Sequence, residues 1–165
     1  MPTVLCDSGP LIALAKVSRL RLILDLWGNV HVTEEVYREA VAQGHELGSP
    51  DALVIRLFWQ KHKLSVIAVP ENILIAYQPA IKLDPGERST FAHALTLKDG
   101  LVLVDDEDAR TEARRLGLTV RGTIGVLVEA YRRSLLTLPE IELLFSEISA
   151  RPDIWISAAL CARVL

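Results

Sequence analysis

Two short apolar segments that run directly into carboxylates constrain the fold of this chain most strongly. Thr3-Val-Leu-Cys6 is followed by Asp7-Ser8, and Leu101-Val-Leu-Val104 is followed by Asp105-Asp106. Uninterrupted aliphatic runs of this length are typical of strands that are buried on both faces, as in a parallel sheet covered by helices. Acids that follow such strands place negative charge at the carboxyl edge of the sheet, which is where open α/β folds bind ligands.

Strand-like and helical segments alternate along the rest of the chain. Short strands are predicted at Val30–Val32, Leu64–Val69 and Thr119–Val120. Helices are predicted over Leu11–Leu26, Glu35–Val41, Ala52–His62, Asp84–Leu97, Asp106–Leu116, Gly122–Arg133 and Pro139–Ser149. In Ala52–His62, Leu53, Leu57 and Phe58 are expected to share one face. This alternation predicts an α/β fold with three layers, in which helices cover both faces of a central, mainly parallel sheet.

The length and composition predict a single domain. We expect residues 1–165 to form one unit with an apolar C-terminal tail at about 152–165. Aromatic residues are 5% of the chain against 50% hydrophobic residues, so the core is expected to be aliphatic. Cys6 and Cys161 show no ligand spacing and are expected to be reduced. The sequence shows neither a signal peptide nor a membrane span, so a cytoplasmic location is expected.

The net charge argues against a basic surface spread over the whole chain. That charge is −3, with an isoelectric point of about 5.8. A nucleic-acid function would therefore need local cations or a bound metal ion. Arg110, Arg114 and Arg115, on one helix, are candidates to contact phosphates, but a solvated helix face paired with Glu112 explains them equally well. Lys16, Arg19 and Arg21 form a second basic cluster with the same two explanations.

Five acidic positions carry the functional argument, namely Asp7, Glu39, Glu87, Asp105 and Asp106. Each taken singly has a structural explanation, as a helix N-cap or as a first-turn acid that complements the helix dipole. Ser8 can cap as well as Asp7, however, and four acids in succession from Asp105 exceed what a cap needs. Carboxylates that converge at one edge repel one another unless a hard divalent cation such as Mg²⁺ or Mn²⁺ lies among them.

The order of these acids along the chain resembles that of the PIN domain (PilT N-terminus), the fold of VapC-type toxin ribonucleases. The matching segments are Val4–Ile12, Val32–Ala40, Leu83–Arg88, Leu101–Arg110 and Val120–Leu127. The Asp-Pro-Gly-Glu, Asp-Asp-x-x-Ala-Arg and Gly-Thr-Ile-Gly elements are more similar to an uncharacterised PIN-like branch than to a typical VapC toxin. The resemblance covers nearly the whole chain and implies a PIN-like fold.

The resemblance also implies roles for particular residues. Asp7 matches the first acid of the PIN site and Glu39 the second, with Glu35 as the alternative. Glu87 stands where typical PIN domains carry an Asp, and Asp106 matches the last acid, with Asp105 or Asp108 as an auxiliary. The implied metal ligands are Asp7, Glu87, Asp105 and Asp106, and the implied substrate contacts are Ser8, Arg110 and Thr123.

Two functions from different classes follow from this resemblance. The first is a Mg²⁺- or Mn²⁺-dependent ribonuclease that cuts RNA, with Asp7, Glu39, Glu87 and Asp106 as its catalytic acids. It would act as a homodimer and as the toxin partner of a small antitoxin protein. The second is a weak or inactive PIN-like module that binds nucleic acid or protein. A third interpretation is activity on another phosphoester, like that of a phosphatase or a flap nuclease, which the same acids would support.

Overall fold

Short parallel strands form the centre of the structure, a computed structural model that describes residues 1–154 and 156. The strands are β1 (Thr3–Cys6), β2 (Val32–Thr33), β3 (Val66–Ile67), β4 (Gly100–Leu103) and β5 (Thr119–Arg121). β4 pairs in parallel with both β1 and β5, and β2 pairs in parallel with β3. A parallel bridge between Leu5 and His31 joins the two ladders. The order across the sheet is therefore β3-β2-β1-β4-β5.

Helices fill the connections between these strands and follow the last of them. They are α1 (Ser8–Lys16), α2 (Leu22–Trp27), α3 (Glu34–Tyr37), a π-helical segment (Arg38–Gln43), α4 (Gly44–Glu46), α5 (Pro50–His62), α6 (Glu71–Ala76), α7 (Pro85–Ala94), α8 (Glu107–Arg115), α9 (Thr123–Arg132) and α10 (Leu138–Ala150).

The helices cover both faces of the sheet, so the predicted three-layer α/β/α fold with a parallel sheet is confirmed. Side chains alternate along each strand because the strand period is two residues. Val4, Cys6, Leu101 and Leu103 point into a core shared with α1, α2, α5, α9 and α10. Leu5, Val102 and Val104 point into a second core shared with α7 and α8. Both cores are mainly aliphatic, as the composition predicts.

The strand register brings the carboxyl ends of β1, β4 and β5 to one edge. Cys6 lies opposite Leu103, and Leu103 lies opposite Arg121. The Asp7 N–H donates a hydrogen bond to the Leu103 carbonyl at 2.9 Å, which continues the ladder one residue beyond β1. The acids that follow β1 and β4 therefore come together at this edge of the sheet.

The predicted helix over Leu11–Leu26 is two helices. α1 ends at Lys16, and Ser18 adopts a positive φ of 58°. The Arg19 N–H then donates to the Leu14 carbonyl at 2.8 Å and closes the end of α1. This left-handed turn redirects the chain, so that α1 and α2 both pack apolar side chains into the first core. Periodicity alone does not reveal such a break, because the apolar spacing continues across it.

Leu53 and Leu57, expected to share one face of α5, lie on its exposed side. Leu53 and Leu57 are 49% and 55% exposed, whereas Ala52, Ile55 and Trp59 are buried. The buried residues follow the i, i+3, i+7 spacing of one helix face, and that face packs on α1 and on the π-helical segment.

The structure also changes several boundaries on this side of the sheet. The strand expected at Leu64–Val69 is reduced to β3, and α6 occupies a segment for which no helix was predicted. The helix expected at Glu35–Val41 begins at Glu34 and continues, through the π-helical turns, into α4.

Cys6 is buried with a free thiol, as expected. Cys161 and most of the predicted tail at about 152–165 lie outside the described residues. Within the part of the chain that the structure covers, no helix combines the length and apolar character needed to cross a bilayer.

Candidate functional site

Asp7 is a buried carboxylate that stands at the N-cap position of α1 without capping it. Its side chain makes no capping hydrogen bond, and its Oδ1 is buried with no hydrogen-bond partner among residues 1–154 and 156. Burial raises the pKa of Asp7 well above its usual range, and the negative charges of Asp84, Glu87 and Glu39 raise it further, while the Ser8 backbone N–H lowers it. The capping explanation therefore does not account for Asp7.

Glu39 approaches Asp7 across the backbone of Gly86. A Cβ atom on Gly86 would lie 3.1 Å from Glu39 Oε2 and 3.3 Å from Asp7 Oδ1, so both carboxylates face this glycine. Burial raises the pKa of Glu39, as does the charge of Asp84, whereas a hydrogen bond with the Ser8 side chain lowers it. Glu39 lies in the π-helical segment, a widened turn that occurs frequently at functional sites. The structure thus brings Glu39 beside Asp7, where the resemblance implies the second acid.

Glu87 lies in the first turn of α7 and forms a capping box with Asp84. The Glu87 N–H donates to Asp84 Oδ1 at 2.8 Å, and the Asp84 N–H donates to Glu87 Oε2 at 3.1 Å. Burial raises the pKa of Glu87 to about 7, with further increases from Asp84, Asp106 and Glu39 that outweigh the effect of the Asp84 N–H. Glu87 is therefore both a helix-cap residue and a member of the acidic cluster.

Asp84 is a member of the cluster that is not among the five acids singled out in the sequence. Its charge raises the pKa of Asp7, of Glu39 and of Glu87. The signal was present in the sequence, because Asp84 opens the Asp-Pro-Gly-Glu element that also contains Gly86 and Glu87. The N-cap position of Asp84 does not reveal that it lies near Asp7. A capping hydrogen bond engages one carboxylate oxygen and does not cancel the negative charge.

The two acids after β4 have different surroundings. Asp106 is the N-cap of α8 and accepts the Ala109 N–H at 2.8 Å, yet its charge still raises the pKa of Glu87. Asp105 is bound by Thr123, whose N–H donates to Oδ1 at 2.7 Å and whose hydroxyl donates to Oδ2 at 2.6 Å. Both oxygens of Asp105 thus have a donor, and the side chain fastens the end of β4 to the start of α9.

A close approach at Gly122 completes this junction. A Cβ atom there would lie 2.8 Å from both Asp105 Oδ1 and Arg110 Nη1, which leaves no room for a side chain without rearrangement. Burial raises the pKa of Asp105, and the Thr123 hydrogen bonds and the Arg110 charge oppose that increase. Asp105 is therefore placed as a structural anchor next to the acidic cluster, and its predicted service as a metal ligand stays a prediction.

The three predicted substrate contacts lie around this edge in different settings. Ser8 is buried beside Glu39, and Thr123 is fully buried with its hydroxyl donated to Asp105. Arg110 Nη2 donates to Glu107 Oε2 at 2.7 Å, and its Nε is buried without a partner in the described part of the chain. Their contacts with substrate remain predictions.

The remaining arginines of α8 are paired with acids on the same helix. Arg114 lies 3.4 Å from Glu107, and Arg115 Nε donates to Glu112 at 2.9 Å. For Arg115, this arrangement matches the interpretation of a helix face paired with Glu112.

Glu112 is a buried acid whose role the sequence did not reveal. It accepts hydrogen bonds from the Tyr77 hydroxyl at 3.1 Å, from the Ala80 N–H at 3.2 Å and from Arg115. These donors hold its pKa at about 2, with Arg115 making the largest contribution. Glu112 therefore ties the segment that leads into the Asp84 cap to α8. Its spacing on α8 looks like that of any surface acid, so no sequence signal separates it.

The donor chemistry of the cluster fits a hard divalent cation, although the side chains are not arranged for coordination. Within residues 1–154 and 156, no three His, Cys, Asp or Glu side chains form a group that could hold a metal ion. Oxygen donors are nevertheless the ligands that Mg²⁺ and Mn²⁺ prefer. Burial is the main cause of the raised pKa values of Asp7, Glu39 and Glu87, and repulsion among the neighbouring carboxylates adds to it, while Asp7 Oδ1 has no hydrogen-bond partner among the described residues. A bound cation would relieve that repulsion.

Comparison with known proteins identifies the family of the chain. A family model described as PIN domain matches residues 3–165. A search of curated proteins found no match. The match covers nearly the whole chain, and it includes every acid of the cluster. The chain therefore belongs to the PIN domain family, whose members are nuclease-type, nucleic-acid-binding modules that generally depend on divalent metal ions.

Proposed function

We propose that this protein is a Mg²⁺- or Mn²⁺-dependent endoribonuclease that hydrolyses RNA phosphodiester bonds at the edge of the sheet marked by Asp7. The observation that carries the proposal is Asp7 Oδ1, which is buried with no hydrogen-bond partner among the described residues and faces Gly86 next to Glu39 Oε2. A buried carboxylate oxygen without a donor is unfavourable, so its retention is best explained by a ligand that supplies positive charge. Family membership supports a nuclease-type chemistry for that ligand site.

In this proposal Asp7, Glu39 and Glu87 hold the cation, with Asp84 and Asp106 adding negative charge around it. The cation, when bound, supplies Lewis-acid activation of water and offsets the charge of the scissile phosphate. Glu87 Oε2 accepts the Asp84 N–H, so Oε1 is the oxygen left to hold a proton or to bind. With a pKa of about 7 in the metal-free protein, this carboxyl exchanges its proton near neutral pH, so a cation bound there would compete with that proton.

Asp105 and Thr123 act in the proposal through position. Their two hydrogen bonds join the end of β4 to the first turn of α9 and hold Asp106 at the mouth of the cluster. Arg110, which lies near Glu107 and Asp105, would contact a flanking phosphate. The same proposal retains RNA and a small antitoxin as partners, a homodimer, a cytoplasmic location and a single domain over residues 1–165.

The direct test is cleavage of single-stranded RNA in the presence of Mn²⁺. Wild type is expected to cut and Asp7→Asn to lose activity by at least ~100-fold, because the substitution removes a charge from the buried site. Asp99→Asn is the matched control, since Asp99 is an exposed acid at the opposite end of β4. Intact RNA across a panel of substrates, together with no calorimetric signal for Mn²⁺ binding, would overturn the proposal.

A second candidate is a PIN-like module that binds without cutting. Two observations favour it: Asp84, Glu87 and Asp106 already serve as helix caps, and the described acids do not form a ready-made coordination group. The two candidates differ in their response to Mn²⁺. A nuclease gains activity and thermal stability from Mn²⁺, and both gains depend on Asp7. A binding module retains RNA or protein binding in EDTA and in the Asp7→Asn variant.

A further inference from the structure

Two buried hydroxyl groups meet between the end of β2 and α7, and the proposed reaction uses neither of them directly. They belong to Thr33 and Ser89, which are fully buried, and their oxygens lie 2.7 Å apart. Thr33 is the last residue of β2 and the N-cap of α3. Because β2 runs parallel to β1, Thr33 lies at the same edge of the sheet as Asp7.

The hydrogen bonds around this pair run in one direction. The Ser89 hydroxyl donates to the Gly86 carbonyl at 3.0 Å, so its single proton is used there. Thr33 is therefore the donor to Ser89, and Thr33 Oγ1 in turn accepts the Val36 N–H at 3.3 Å. These three hydrogen bonds, which we call the hydroxyl chain, lead from Val36 in α3 to the carbonyl of Gly86 in α7.

The hydroxyl chain fixes the position of α3 relative to α7. Each of its two hydroxyl groups accepts one hydrogen bond and donates one, and both lie away from solvent. A buried hydroxyl that loses its partner is unfavourable, so the two helices cannot shift without breaking a satisfied contact. Hydrogen bonds also restrict direction as well as distance, which apolar contact alone does not.

Both ends of the hydroxyl chain reach the place where Asp7 and Glu39 approach each other. Gly86 is the residue that both carboxylates face, and a Cβ atom on Gly86 would lie 3.2 Å from Val36 Cγ2. Glu39 follows Val36 by three residues in the same helical stretch, so a shift of α3 moves Glu39 with it. The chain thus joins the backbone that both carboxylates face to the helix that leads into one of them.

We propose that Thr33 and Ser89 are positioning residues that hold Glu39 against Asp7, so that both carboxylates are available to one divalent cation. Carboxylates that repel each other would otherwise move apart in the metal-free protein. The inference rests on the proposed metal-dependent function for its meaning, but the placement of Glu39 can be measured without metal. Groups that orient metal ligands in this way typically contribute about 10- to 100-fold to metal affinity.

Ser89→Ala breaks the hydroxyl chain, and Thr90→Val is its matched control. The Thr90 hydroxyl is also buried and donates to the same Gly86 carbonyl at 2.7 Å, but it has no hydrogen bond to α3 among the described residues. Thr33→Val breaks the chain from its other end and also removes the cap of α3. Thr33→Ser retains both the hydroxyl and the cap, and it serves as the conservative variant.

The experiment has two arms. Hydrogen–deuterium exchange in EDTA reports the opening of α3 and the π-helical segment, with β4 as the internal reference. Isothermal titration calorimetry measures the affinity for Mn²⁺. We expect Ser89→Ala to raise exchange in α3 and the π-helical segment but not in β4, and to weaken Mn²⁺ binding by about tenfold or more. Thr90→Val and Thr33→Ser should change the affinity by less than about threefold.

A double-mutant cycle tests whether the two hydroxyls act as one chain. Thr33→Val should weaken Mn²⁺ binding at least as much as Ser89→Ala, and it supplies the same break if Ser89→Ala does not fold. The double variant should bind Mn²⁺ no more weakly than Thr33→Val alone, because the chain is already broken. Effects that add in the double variant would overturn the inference.

The two arms separate this inference from the proposed function. If wild type binds no Mn²⁺ while Ser89→Ala raises exchange only in α3 and the π-helical segment, the positioning of Glu39 is supported and the metal-dependent function is overturned. Three other results would overturn the inference: equal weakening of Mn²⁺ binding by Thr90→Val, exchange raised equally in β4, or raised exchange in α3 with unchanged Mn²⁺ affinity.

Discussion

At the scale of the residue, Asp7 marks the candidate site because burial of its ionised carboxylate is unfavourable for stability. A buried carboxylate surrounded by acids is less stable when ionised, and its pKa is raised for that reason. The sequence placed Asp7 at the end of β1 and at the sheet edge. It could not show whether Asp7 capped α1 or remained free, because that depends on the orientation of one side chain.

We predict that Asp7→Asn stabilises the metal-free protein. Removing the charge ends the unfavourable burial of an ionised carboxylate and relieves repulsion from Asp84 and Glu87, so the free energy of unfolding in EDTA at pH 8 should increase. Thermal or urea denaturation measures this change. Asp99→Asn should have almost no effect, and a less stable Asp7→Asn protein would show that the carboxylate is a structural requirement.

The pKa of Glu87 leads to a prediction for the dependence of stability on pH. The folded pKa of about 7 exceeds the unfolded value of 4.5, so the folded state binds the extra proton between these values. The contribution of Glu87 to stability is fully present below pH 4.5 and is lost as pH rises through 7. Glu87→Gln keeps a side chain that suits the capping box. In EDTA, this variant should become more stable relative to wild type as pH rises from 5 to 7.5, then level off. Urea denaturation measures the free energy of unfolding of both proteins. If the difference between Glu87→Gln and wild type stays constant across this pH range, the raised pKa of Glu87 is contradicted.

At the scale of the element, the first turn of α7 brings a backbone into contact with two carboxylates. A Cβ on Gly86 would lie 3.1–3.3 Å from Glu39 Oε2, Val36 and Asp7 Oδ1, which is tighter than ordinary packing. On Gly9, in the first turn of α1, the nearest atoms would lie at an ordinary 3.7 and 3.8 Å. A methyl group therefore fits at Gly9, in the first turn of α1, and is crowded at Gly86, in the first turn of α7.

We predict that Gly86→Ala weakens Mn²⁺ binding by about tenfold, because it pushes the two carboxylates apart, and that Gly9→Ala changes the affinity by less than about threefold. Isothermal titration calorimetry measures both affinities, and circular dichroism establishes that both variants are folded. Equal effects of the two substitutions would mean that close packing at Gly86 does not set the geometry of the cluster.

The anchor formed by Glu112 belongs to this scale as well, because it joins α8 to the segment before α7. Glu112→Ala leaves the Tyr77 hydroxyl and the Ala80 N–H without their acceptor, and we expect a loss of about 3 kcal/mol of unfolding free energy. Glu107→Ala, at an exposed acid of the same helix, should cost less than ~1 kcal/mol. Urea denaturation of both variants provides the comparison, and similar losses would rule out the anchor.

The elements also show where prediction from the sequence succeeds and where it fails. β1 and β4 were predictable, since each depends on a few adjacent residues. The break at Ser18 was not, because a left-handed residue there is selected by packing on the sheet rather than by local preference. The sequence does not identify the buried face of α5, because Leu53 and Leu57 are as apolar as the residues that pack.

At the scale of the whole molecule, the alternation of strand-like and helical segments predicts a parallel sheet with a helical layer on each face. The structure confirms this prediction. The site depends on long-range placement instead. The order of the acids predicted an acidic edge, but only the assembled structure shows that Asp84 joins it and that Thr123 occupies both oxygens of Asp105.

The acids of the cluster come from β1, the π-helical segment, α7 and α8, which are far apart in the sequence. Their mutual repulsion therefore develops only when the sheet and its flanking helices have assembled. A cation that relieves this repulsion should bind the native state and have little affinity for partly folded chains. We therefore expect Mn²⁺ to lower the rate constant of unfolding and to leave the rate constant of refolding nearly unchanged. For this protein, the metal ion would stabilise the native state once it has formed and would not speed its formation.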